Sequence, residues 1–191
     1  GIPEKLLNIK IINNKSSEKI IILFIGLLTK SKGLHIFLEI AKRFMNYNNI
    51  SFIAIGNHAD DTDELIKNLP INVLIKPQLH YEELIQNILN ADIFLYPSLL
   101  DGSARIVMEV MALAKPVITT LNSGSVIEDG KDGFICQTDD IIDYVDRINY
   151  LITNPKESEI LGLSARKKIK DNYCSINYRE NIIRLYSGIR I

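Results

Sequence analysis

The alternation of apolar and polar positions divides the chain into short repeating units. Ile20–Ile25 is an unbroken apolar run rich in β-branched residues, the pattern of a strand buried on both faces. Residues 33–47 then place Leu34, Phe37, Leu38, Ala41, Phe44 and Met45 at helical spacing. The spacing predicts further strands at Ile50–Ile55, Val73–Ile75, Ile93–Tyr96, Val117–Thr119 and Gly133–Cys136. Between them it predicts helices at Tyr81–Asn90 and about 104–113, and a short one from Asp61 to about Asn68. Asp61 and Glu64 have the form of a capping box there. From Asp139 onward the pattern is mostly helical. Residues 1–19 are polar and irregular and read as a linker or a short capping segment.

Strands alternating with helices at short spacing predict an α/β domain: a doubly wound, Rossmann-like parallel sheet of about six strands with helices on both faces. Ligands of such sheets sit beyond the carboxyl ends of the strands. The loops that follow the strands, 26–33, 56–61, 76–80, 97–104 and 120–126, therefore carry the chemistry.

Composition narrows the choice. The chain has 191 residues, 47% of them hydrophobic, enough for one ordinary domain with a sizeable core. Its formal net charge of −1 argues against nucleic acid or an anionic membrane as the main partner. The longest apolar run, Ile20–Leu28, is too short to span a bilayer, and no secretory signal opens the sequence. Cys136 and Cys174 lack metal-like spacing and read as reduced thiols of a cytosolic domain, while His35, His58 and His80 form no local cluster. No metal site is expected.

Two loops stand out. The first runs Gly26-Leu27-Leu28-Thr29-Lys30-Ser31-Lys32-Gly33. A glycine after a strand, two lysines and a helix start whose first amides are free suit a phosphate, although a tight turn with two solvated lysines fits equally well. The spacing is not that of a P-loop. In the second, Asp101, Gly102 and Ser103 precede the apolar stretch around Glu109, a helix start whose amides would face an anion. Glu109, among apolar neighbours, needs a partner. Two hydroxyls of a ribose would serve, and so would Arg105 four residues before it. The polar loop Thr119–Ser125 would line a cleft or form plain surface. The G-x-G-x-x-G fingerprint of dinucleotide enzymes is absent after the first strand.

Taken in order, these segments resemble the C-terminal domain of family 4 glycosyltransferases, which have the two-domain B-type fold (GT-B). The likeness rests on Gly26-Leu27-Leu28 through Lys32-Gly33, on "NADIFLYPS" (Asn90 to Ser98), and on two carboxylates, Asp101 and Glu109, separated by seven residues. "MALAKPVITT" (Met111 to Thr120) and "EDGKDGFI" (Glu128 to Ile135) continue it. The resemblance implies the nucleotide-sugar-binding half of a retaining enzyme that moves a sugar from a nucleoside-diphosphate-sugar to a glycan or lipid-linked acceptor. Such chemistry belongs to polysaccharide or glycoconjugate synthesis.

The resemblance also assigns roles. Lys32 would neutralise the diphosphate, Glu109 would hold the ribose, and Asp101 would contact the transferred sugar. Gly26, Lys30, Gly102, Ser103, Ala104, Arg105 and Ile106 would line the donor, and Lys76–Leu79 would border the nucleobase. No metal or other cofactor is implied beyond the donor substrate. Residues 20–174 would form the domain, and 175–191 a helix packed on it or turned toward a separate N-terminal domain carrying the acceptor site. Without that half the domain would be inactive. A cytoplasmic protein is implied, peripheral to the inner membrane through the other half. The sequence departs from the family pattern at Leu27, where an arginine is usual, and at Asp101, where a glutamate is usual. A catalytically degenerate interaction module and a nucleotide-sugar epimerase of the same fold remain as alternatives.

Overall fold

The computed structural model describes residues 1–11 and 19–187. Six parallel strands, β1 (Ile20–Ile25), β2 (Ile50–Ile55), β3 (Val73–Lys76), β4 (Ile93–Tyr96), β5 (Val117–Thr120) and β6 (Phe134–Cys136), form one sheet. Their order is β3-β2-β1-β4-β5-β6. The direction of winding reverses between β1 and β4, which opens a crevice at their carboxyl ends.

The helices are α1 (Glu4–Leu7), α2 (Leu34–Arg43), α3 (Asp63–Lys67), α4 (Tyr81–Asn90), α5 (Arg105–Ala112), α6 (Ile141–Thr153), α7 (Pro155–Lys168) and α8 (Ser175–Ser187). Right-handed crossovers place α2 and α5 on opposite faces. Accordingly α2 packs against α6, and α5 against α1 and α7. Every side chain of β4 and β5 is buried, as the apolar runs require. The aromatic core links Phe24 to Phe37 and Phe37 to Phe52, with centroids 5.5 Å apart in each pair. Burying each such ring contributes about 2–3 kcal/mol.

Of the two readings of residues 1–19, residues 1–11 take the capping one, and two other expectations change. Ile2 and Leu6 enter the core, Ile2 pairs with Cys174, and Leu6 lies on α1; residues 12–18 of that segment lie outside the described residues. Helix α2 stops at Arg43, where Phe44 and Met45 turn back onto Ala41 and Lys42 ahead of the asparagine-rich segment at 46–49. The capping box at Asp61 does not form. Residues 60–62 make a 3-10 turn, and the Asp61 carboxylate accepts instead from the Lys30 backbone N–H at 3.0 Å. A tertiary partner with a free amide outcompeted the local cap.

Cys136 and Cys174 are buried free thiols. Burial, the Asp143 carboxylate and its hydrogen bond push the Cys136 thiol up, away from reactivity. On α8, Ile183, Leu185 and Tyr186 are exposed.

Candidate functional site

The loop after β1 is drawn against the loop after β4. Gly33 sits at φ 82°, and a Cβ built there would lie 2.0 Å from the Pro97 carbonyl oxygen. Only glycine permits this approach. Leu99 N–H donates to Ser31 O at 2.9 Å across the same gap. The clasp sets Lys32 beside the second loop: its Nζ lies 2.8 Å from Asp101 Oδ2 and donates to Leu100 O at 3.1 Å. The side chains of Lys32 and Asp101 are 25% and 18% exposed, so the pair is partly shielded yet open to a ligand.

Asp101 has further partners. Tyr96 OH donates to Oδ2 at 2.8 Å and Ser103 N–H to Oδ1 at 3.3 Å. Burial alone would raise the Asp101 pKa. The hydrogen bonds from Lys32, Tyr96 and Ser103, with the lysine's charge, overcome that and hold it below the ordinary value. Burial, reinforced by Asp101, pushes the Tyr96 hydroxyl up, so it remains a donor.

The structure closes some of the amides expected to be open at each helix start. Gly33 and Leu34 N–H donate to Lys30 O and Thr29 O, closing the turn before α2. Ala104 N–H donates to Ser123 O, Arg105 N–H to Ser103 O, and Ser103 N–H to Asp101. Gly102 and Ile106 N–H make no such bond among the described residues, and a side chain at Gly102 would meet open space. The anion-binding capacity of this helix start rests on those two amides.

Arg105 Nε donates to Glu109 Oε1 at 2.9 Å, the i, i+4 pair that the spacing allowed. Arg105 is 64% exposed and Glu109 only 12%. The carboxylate is thus sheltered, and its cation can swing away.

A cleft of about 330 Å³ opens on the β2 side, lined by Gly26, Leu27, Gly56, Asn57, Gln78, Leu79 and Leu84 among others. Its floor is another close approach, since a Cβ on Gly56 (φ 152°) would lie 1.8 Å from Gly26 O. Asn57 Nδ2 donates to Gln78 Oε1 at 3.2 Å across one wall. Leu27, 53% exposed, presents an apolar surface there.

The sequence-derived residues therefore fall into groups. Lys32, Asp101 and Ser103 converge, Arg105 and Glu109 pair one turn deeper, and Gly26 lines the cleft with Gln78 and Leu79. Lys30 is exposed and is not brought to Asp101. Lys76 turns toward α4 and donates to Asn87 Oδ1 at 2.8 Å. Sequence reasoning missed Tyr96, which reads as the last apolar residue of a buried strand. It also missed Asn57, which donates to Gln78 of the expected Lys76–Leu79 loop and whose signal is its position in a loop at a strand's carboxyl end. Among the described residues, no group of His, Cys, Asp and Glu is arranged to hold a metal ion, and no helix is long and apolar enough to cross a membrane.

Comparison with known proteins adds a family frame. Residues 7–168 match the family model described as glycosyl transferases group 1. The capsular polysaccharide biosynthesis glycosyltransferase CapM of Staphylococcus aureus is 28% identical over 192 aligned residues, covering 92% of this chain and 50% of CapM. The chain thus spans about half the length of the curated relatives it matches. Among solved structures, the C-terminal domain of a glycosyl transferase group 1 family protein (LpcC) from Francisella tularensis superposes with a TM-score of 0.80 at 18% identity. That match covers 92% of this chain and 100% of that domain. Anabaena Alr3699/HepE, solved in complex with UDP-glucose, superposes at 0.79 and 18% identity, covering 90% of this chain and 49% of HepE.

Proposed function

The chain belongs to the glycosyl transferases group 1 family, and from that premise we propose that it binds the nucleoside-diphosphate-sugar donor for a retaining, metal-independent sugar transfer of the family 4 type. The observation that carries the reading is the meeting of Lys32 and Asp101 at the crevice between β1 and β4, 2.8 Å apart and open to a ligand. A donor laid across that crevice would place its diphosphate at Lys32 and the Gly102 and Ile106 amides. Its ribose would reach Glu109, its base the cleft beside Leu79, and its sugar Asp101.

As the anomeric carbon–oxygen bond breaks, the electron pair passes to the diphosphate. Lys32 and the helix-start amides neutralise that growing charge. The acceptor hydroxyl oxygen then bonds the anomeric carbon on the face the diphosphate leaves, and its proton passes to an oxygen of the departing diphosphate. In this proposal the acceptor, a glycan or a lipid-linked saccharide, is held by a separate N-terminal domain, and transfer requires both halves. The UDP-glucose bound to HepE, a protein of the same fold, supports the donor class.

Calorimetry with UDP, GDP and ADP tests this. Saturable binding of at least one is expected, abolished by Glu109→Ala and weakened about 10-fold or more by Lys32→Ala, the scale of a charge-assisted hydrogen bond. No heat from any of the three would overturn the reading. Leu27 favours the second reading of an interaction module that has lost transfer, because an exposed leucine stands where the family resemblance expects an arginine. That reading is favoured if the full-length protein binds a partner but neither hydrolyses the donor nor transfers its sugar.

A further inference from the structure

Asp101 is held by two side chains of opposite character. Lys32 reaches it from a loop through a long, flexible stem. Tyr96 reaches it from the end of β4, on a ring packed into the core. The Tyr96 ring is buried, lies 5.6 Å from Phe24 and 6.0 Å from Phe94 in stacked geometry, and its carbonyl accepts from Thr119 Oγ1 at 2.8 Å. Both side chains share one oxygen, Oδ2.

This sharing matters when an anion arrives. A diphosphate that engages Lys32 takes the cation from a carboxylate whose side chain is only 18% exposed. A sheltered carboxylate stripped of its cation is costly unless a hydrogen-bond donor remains. Of its two side-chain donors, Tyr96 is the one that stays. Asp101 is also a short side chain, and the hydroxyl meets it where its reach ends.

We propose that Tyr96 is a positioning residue of the donor site, holding the Asp101 carboxylate in place while Lys32 exchanges Asp101 for the donor's diphosphate. The proposal rests on the donor-binding reading above. In this proposal Lys32 and Asp101 neutralise each other until the donor separates them. Without the Tyr96 hydroxyl, Asp101 depends more heavily on Lys32, and the lysine is released less readily.

The test uses Tyr96→Phe, which keeps the ring stack and removes one oxygen, and UDP, GDP, ADP and inorganic pyrophosphate as probes. With whichever probe binds the wild type most tightly, Tyr96→Phe should weaken binding about 5- to 10-fold, the scale of one hydrogen bond to a charged group. In an Asp101→Asn background the same change should have less than about a twofold effect, because the charge it serves is gone. A second readout is the Asp101 carboxyl titration followed by carbon NMR. The substitution should raise its midpoint far more with the probe bound than without it, whereas a purely structural role would move both alike. Lys32→Met asks the same question without touching Tyr96: the Asp101 midpoint should stay at or below the ordinary carboxylate value, and a midpoint well above it overturns the proposal. Equal midpoint shifts, or unchanged affinity in Tyr96→Phe, also overturn it while leaving the donor reading intact. Failure of the wild type to bind any of the three nucleotides defeats the donor reading, and this proposal with it.

Discussion

Gly33→Ala is the sharpest perturbation of the link between fold and site. Two costs add at this position. An alanine must adopt φ near 82°, which costs an L-residue about 1–2 kcal/mol. Its Cβ would also stand 2.0 Å from Pro97 O, where ordinary contact begins near 3.4 Å, so one loop must retreat by about 1.4 Å. Retreat strains the Leu99–Ser31 backbone bond and carries Lys32 away from Asp101. We expect a total loss of about 2–4 kcal/mol in unfolding free energy, measured by urea denaturation. Nucleotide binding should fall as well, even at low temperature where the variant is fully folded. Another glycine provides a control: Gly130 has a left-handed φ of 72°, but a Cβ added there would meet nothing within 4 Å, so Gly130→Ala isolates the backbone cost from the clash. A Gly33→Ala variant within about 0.5 kcal/mol of wild type, the range of inconsequential surface changes, would refute the reasoning.

Two further outcomes follow from the charge placements. Arg166 donates to Leu7 O, Ile9 O and Ala112 O at 2.6–2.9 Å, and burial lowers its pKa. Arg166→Met should therefore cost about 2–4 kcal/mol in denaturant unfolding by leaving these carbonyls without their donor, and a loss below about 1 kcal/mol would contradict that role. Asp101 has a folded pKa below its ordinary 3.8, so its ionised form contributes stability that is fully present above that value and disappears as pH falls through the lower folded pKa. The stability gap between wild type and Asp101→Asn, followed by denaturation from pH 7 to pH 2, should close only at the acid end, and a gap that closes above pH 5 would contradict the assignment.

The strands were legible because continuous β-branched runs have few alternatives in a sheet covered on both faces, as Ile20–Ile25 and Ile50–Ile55 demonstrate. The neighbourhood of the site was legible because a Gly-containing loop at a strand's carboxyl end has a known place in this topology. Its inner wiring was not. Tyr96 is counted as core by any hydrophobic pattern, and only the three-dimensional position of its oxygen reveals the contact with Asp101. The amide accounting failed for the same reason. Ser123, nineteen residues after Ala104 in the chain, accepts a bond that local reasoning left open. Asp61 likewise serves a distant amide in place of its own helix. Periodicity reports which face a residue occupies, whereas these assignments depend on which loop lies opposite.

The pairing of Ile2 with Cys174 has a bearing on engineering. Ile2 N–H donates to Tyr173 O at 2.8 Å, and Ser175 N–H returns a bond to Ile2 O at 2.9 Å. The segment 2–174, which contains the whole sheet, starts and finishes at this staple. A segment whose first and last residues meet in this way can be inserted into a surface loop of an unrelated host without stretching either junction. It can also be circularly permuted by joining those residues and opening an exposed turn elsewhere. The same staple makes the spacing between those junctions a fixed length, which a host loop must match.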